Sequence, residues 1–118
     1  TTLNSAGADL SKITFFTTPL DSIWARDYGP RYVYEGDVRV IADHVYNRPR
    51  PNDNNQPIAF GNLKGHKVYQ MGTGTTQLVH GGGNYHLNAT GDAYATTLIA
   101  NENPSLSQTQ IRSIYQQY

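Results

Sequence analysis

The chain has 118 residues and carries nine Lys plus Arg against nine Asp plus Glu, a formal net charge of zero. That length fits one small domain, and neutrality excludes the basic excess on which general nucleic-acid or membrane-surface binding relies. There is no cysteine, so disulfides, thiolate metal sites and a thiol nucleophile are excluded within these residues.

No apolar run approaches the length of a membrane span, and no signal peptide is visible. The chain opens on Thr1 rather than Met, as a mature or excised product would. Few residues are charged, and Tyr, Asn, Thr, Gln and Gly are abundant, which leans toward a secreted bacterial protein.

In chain order, Thr1 to Ala6 followed by Gly7 reads as the tail of a helix with a glycine cap. Lys12 to Thr17, β-branched and aromatic, predicts a strand, and residues 22 to 29 a loop at its carboxyl end. Arg31 to Glu35 and Val38 to Asp43 flank the turn dipeptide Gly36-Asp37 and predict a hairpin. Tyr46 to Gln56 is polar and proline-broken, which predicts a long surface loop. Short strands are expected at Lys67 to Met71 and Thr76 to Val79, and a loop at His80 to Asn84. Tyr85 to Leu87 and Ala93 to Ile99 read as strands joined by a turn at Ala89 to Gly91. Ser107 and Gln110 have capping-box spacing, and Ile111, Ile114 and Tyr115 mark the apolar face of the helix they open. Starting near the end of one helix and stopping inside another, the chain reads as an internal piece of a larger α/β protein.

Four stretches could carry chemistry. His80 to Gly83 (HGGG) resembles an oxyanion-hole string, but no Gly-x-Ser-x-Gly elbow accompanies it. It reads as a turn, or as a close backbone approach that only glycine allows. Gly72 to Thr75 (GTGT) lacks the ending of a phosphate loop and reads as a turn. His80 and His86 lack a third ligand at metal-site spacing, so no metal site is expected. Arg48-Pro49-Arg50 either converges two guanidinium groups on a carboxylate or is a solvated loop. In SIWARDYGP, residues 22 to 30, Asp27 and Trp24 could form a guanidinium receptor. Asp27 would accept paired N–H bonds while Trp24 covers the cation. Alternatively, Arg26 and Asp27 form an ion pair while Trp24 fills the core.

SIWARDYGP, then YNRPRPND, then GGGNYHLNATGDAYATTLIANENPSLS, in that order, resemble the bacterial peptidylarginine deiminases of the Porphyromonas type. These are related to the agmatine deiminases within the guanidine-modifying superfamily. The resemblance runs from Ala6 to Tyr118. It implies an α/β fold: about two units of a five-bladed, pseudo-symmetric α/β propeller, with the active site on its axis and no cofactor or metal in the chemistry. It implies that Asp27 grips the substrate guanidinium and that Trp24 lines its pocket. Arg48 and Arg50 would hold the carboxylate of a carboxy-terminal arginine, which favours an arginine-containing peptide over a small guanidino substrate such as agmatine. Asn88-Ala89 stands where relatives commonly carry Asp-Gly, a change expected to alter a turn.

The implied reaction also needs a cysteine nucleophile and a His-x-Asp pair. His44, His66, His80 and His86 are followed two positions on by Tyr46, Val68, Gly82 and Asn88. Residues 1–118 are therefore expected to be a partial deiminase catalytic domain, with the His- and Cys-bearing part downstream. Its expected partners are the substrate and the remainder of the propeller, with no nucleic acid and no membrane. The location expected is secreted or cell-envelope, or cytoplasmic for an agmatine enzyme.

Overall fold

The computed structural model describes residues 2–118. Thr1, the first residue of the expected N-terminal helix, lies outside them. Helix α1 (Thr2–Ser5) is followed by Gly7 at φ 83°, a left-handed cap that glycine adopts without strain. The expected strand at Lys12 to Thr17 does not form. A 3-10 turn covers Leu10–Lys12, and no strand among the described residues pairs with the segment that follows. Strand propensity acts through a neighbouring strand, and here Phe16 instead packs edge-on to Phe60, 5.6 Å between ring centres.

The expected loop at 22 to 29 contains a single helical turn, α2 (Ala25–Tyr28). Strands β1 (Arg31–Glu35) and β2 (Val38–Asp43) then form the expected antiparallel hairpin, in register from Arg31↔Ala42 to Glu35↔Val38. Gly36 sits at φ 61° in its two-residue turn. Beyond β2 the chain runs through His44 into β3 (Val45–Tyr46).

The expected long loop at 46 to 56 is a loop only as far as Arg50, and from Pro51 on it is mostly helical. Pro51 opens α3 (Pro51–Asn54), and α4 (Gln56–Lys64) follows with Pro57 in its first turn. Proline has no N–H to lose at a helix start, so these prolines begin helices rather than break them. The crossover returns the chain to β4 (Val68–Gln70), parallel to β2. The chain then loops out through Gly72 to Gln77, including a 3-10 turn at Gly74–Thr76. Leu78 N–H closes the loop on Met71 O at 2.9 Å. The next strand, β5 (Val79–His80), pairs parallel with β3, so β4 and β5 act as one interrupted partner for β2 and β3.

Adjacent strand residues face opposite sides. On one side of the sheet, Ala42 joins Met71, Leu78, Ile111 and Ile114 in the buried apolar cluster. The last two come from α6 (Gln108–Gln117), whose expected capping box is present. On the other side, Gly61 of α4 lies so close to the sheet that a Cβ there would fall 2.5 Å from Val68 Cγ2 and 3.5 Å from Ile41 Cδ1.

Beyond the sheet, β6 (His86–Leu87) and β7 (Ala93–Tyr94) are short and exposed. Asn88 accepts from the backbone N–H groups of Thr90 and Asp92, which shapes the turn where Asn88-Ala89 was singled out. Of the strand expected at Ala93 to Ile99 only Ala93–Tyr94 forms, and Leu98 and Ile99 open α5 (Leu98–Glu102). Just after α5, the buried Asn103 side chain donates to Val79 O and accepts from Val79 N–H, in the manner of a neighbouring strand. Among the described residues, no helix is long and apolar enough to cross a membrane.

Candidate guanidinium site

Two sequence motifs are fastened together at the mouth of the sheet. Asp53, wholly buried in the first turn of α3, accepts from Asp21 N–H (2.8 Å), Ser22 N–H (3.2 Å) and Ser22 Oγ (2.6 Å). In return, Asp21 accepts from Asn52 N–H (2.8 Å) and Asn52 Nδ2 (2.7 Å). Tyr28 donates from Oη to Ser22 O at 2.8 Å and packs edge-on to Tyr46. The segment before α2 is thereby fixed to the segment after Arg50. Sequence reasoning missed Asp53, although an acid in the first turn after Pro51 is a readable helix-start signal.

Asp27 is the best-held member of the expected site. Its amide donates to Trp24 O at 2.8 Å within the α2 turn. Its backbone oxygen accepts from His44 Nε2 at 3.1 Å, and its carboxylate Oδ1 accepts from Gly83 N–H at 3.0 Å. None of the hydrogen bonds among the described residues involves Oδ2. The glycines of HGGG are close-approach residues. A Cβ on Gly82 would fall 2.4 Å from Arg26 O, and one on Gly83 would fall 2.6 Å from Asp27 Oδ1.

Arg26 and Asp27 make no ion pair, since those among the described residues are Lys12–Asp9 and Lys67–Glu35. Trp24 is 55% exposed among the described residues. A groove of about 650 Å³ beside α2 is lined by Arg26, Arg31, Tyr85, His86 and neighbours rather than by Trp24 or Asp27. His86 is exposed, with Nε2 2.9 Å from Gly83 O.

The arginine loop is nearby but less constrained. Arg48 is exposed and donates to Asn47 O at 2.8 Å. Arg50 donates to Tyr46 Oη at 3.3 Å. Arg50 N–H also closes on Arg48 O at 2.8 Å, so the backbone bends around Pro49 instead of running extended.

Next to Asp27 lies a group of buried and half-buried side chains that sequence reasoning did not assemble. The Arg31 guanidinium lies 4.2 Å from the centre of the Tyr85 ring, which stacks on Tyr115 at 4.6 Å. His80 meets both rings edge-on and His44 packs edge-on against His80 at 5.1 Å. Burial pushes His80 down to about 3 and His44 to about 4, with the Arg31 charge adding to both shifts, so both rings are neutral at pH 7. Burial also lowers Arg31 and raises Tyr115 from their ordinary values. Among the described residues no cluster of His, Cys, Asp and Glu is arranged to hold a metal ion.

The family model of the Porphyromonas-type peptidyl-arginine deiminases matches residues 1–118. The chain belongs to this family. Its fold is similar to that of the agmatine deiminase of Enterococcus faecalis, captured catalysing its reaction, with TM-score 0.69 and 22% identity over 81% of this chain and 29% of that one. A structural-genomics X-ray structure provisionally assigned as an agmatine deiminase matches at TM-score 0.76 and 21% identity, over 95% of this chain and 32% of that one. This deiminase-family chain thus has a mixed α/β fold and spans about a third of the length of those structures.

Proposed function

We propose that this chain is the substrate-gripping part of a deiminase that hydrolyses the guanidinium of arginine to a ureido group and ammonia. The observation that carries this reading is the Asp27 carboxylate, whose Oδ1 is fixed by the Gly83 amide while Oδ2 is left open to accept N–H bonds from a planar cation. Trp24, exposed on the same turn, is available to cover that cation.

The rest of the chemistry follows the family resemblance. A cysteine thiolate outside these residues attacks the guanidinium carbon, ammonia leaves, and water hydrolyses the covalent intermediate, with a histidine outside the chain moving the protons. Asp27 holds the cation flat for that attack. In this reading the full protein is the five-unit propeller and residues 1–118 are about two of its units. The favoured substrate is a carboxy-terminal peptidyl arginine, because Arg48 and Arg50 are close enough in sequence to share one carboxylate.

The test is ureido-group formation by the full-length gene product, offered a peptide ending in arginine and, separately, agmatine. Product from the peptide supports the carboxylate site, whereas product from agmatine alone removes it. Asp27→Asn should keep the fold and lose about 2–5 kcal/mol of transition-state binding. Unchanged turnover in that variant would remove Asp27 from the clamp.

A further inference from the structure

We infer that His44 is a positioning residue for Asp27, acting through a single N–H donated to the Asp27 backbone oxygen. The inference rests on the clamp role of Asp27 given above.

A one-turn helix such as α2 leaves its last carbonyl oxygens without partners inside the helix. Asp27 O is one of these, and His44 Nε2 reaches it at 3.1 Å from the junction of β2 and β3. A carbonyl oxygen only accepts, so Nε2 carries the proton. His44 is itself buried, wedged edge-on against the fully buried His80. The ring therefore has little freedom to turn its N–H elsewhere.

Asp27 is consequently held from three directions, through its amide by Trp24 O, its carbonyl by His44 and its carboxylate by Gly83. Releasing the carbonyl would let the turn pivot, and the carboxylate would move with it. Nothing in the sequence marks this role, because the partners are a side chain and a peptide oxygen 17 positions apart.

The test uses the full-length protein with His44→Gln and His44→Met, side chains of similar length of which only glutamine can donate. Hydrogen exchange over residues 24–29, thermal midpoint, kcat and KM are read together. In His44→Met, faster exchange at 24–29 should accompany a roughly tenfold or greater fall in kcat/KM, whereas His44→Gln should stay within about threefold of the parent. Three results overturn the inference: unchanged exchange in His44→Met, equal kinetic losses in the two variants, or faster exchange with unchanged kcat/KM. Failure of the clamp reading is separately visible, as full turnover by Asp27→Asn while exchange in His44→Met still rises, and it overturns the inference as well.

Discussion

The two halves of the candidate site are built differently. Asp27 is fixed by groups far away in sequence, with Gly83 lying 56 positions on and His44 lying 17 positions on. Arg48 and Arg50 rest their guanidinium groups on Asn47 and Tyr46, one and four positions away. The first half is organised before any ligand arrives. If the second receives a substrate carboxylate, it must give up weak local contacts and side-chain freedom to do so, which lowers its net contribution to affinity.

Acid should break the organised half first, and this is the largest effect expected. His44 and His80 have folded values of about 4 and about 3, below the ordinary 6.5. Between those values the unfolded chain binds protons that the folded chain does not, so stability present above pH 6.5 is lost as pH falls toward 4 and then 3. Asp43 has the opposite sign. Burial raises it to about 6, so it favours the folded state as pH falls from 6 toward 3.8. Displacing a group's titration by one pH unit is worth about 1.4 kcal/mol, and the two histidines together are displaced further than the one carboxyl. The thermal midpoint should therefore fall steadily from pH 7 to pH 4. His80→Phe, which removes one of the two titrating rings, should flatten that slope, and an unaltered slope would show that the ring does not titrate as its burial requires.

The same contrast explains what could be read from the sequence. The β1–β2 hairpin and the start of α6 are local, carried by a turn dipeptide and a capping box, and both are found as expected. The strand expected at Lys12 to Thr17 required a partner that residue preferences do not reveal, and the loop expected at 46 to 56 required choosing between proline as breaker and proline as helix start. At the site, the motifs around Asp27 and Arg48 were visible as residue types. The Gly83 amide, the His44 contact and the Asp53 junction were not, because each forms only when segments distant in sequence meet.

Asp53 offers a sharper cut, because it belongs to neither half and joins them. Asp53→Ala removes the acceptor for Asp21 N–H, Ser22 N–H and Ser22 Oγ in a wholly buried position. Hydrogen bonds to a charged acceptor contribute roughly 1.5–3 kcal/mol and do not add fully, so a loss of about 3 kcal/mol is expected from urea unfolding. Asp53→Asn retains one acceptor oxygen and should lose less. Equal losses in the two variants would mean that shape rather than hydrogen bonding holds the junction.

The smallest expected effect on stability belongs to the arginine loop. Among the described residues, exposed Arg48 donates only to its neighbour's carbonyl, so Arg48→Ala should leave unfolding within about 0.5 kcal/mol of the parent. Arg50→Ala should fall slightly further, because its guanidinium also meets the buried Tyr46 hydroxyl. Function should separate where stability does not. If the pair receives a substrate carboxylate, each substitution removes a charge-assisted contact of roughly 1.5–3 kcal/mol, about a tenfold or greater rise in KM for a peptide ending in arginine. Agmatine has no carboxylate and should show no such rise. A parallel rise for both substrates would mean that the loop acts on Asp27 through the Asp53 junction, and the two halves would then be one mechanical unit rather than a fixed clamp beside an adaptable one.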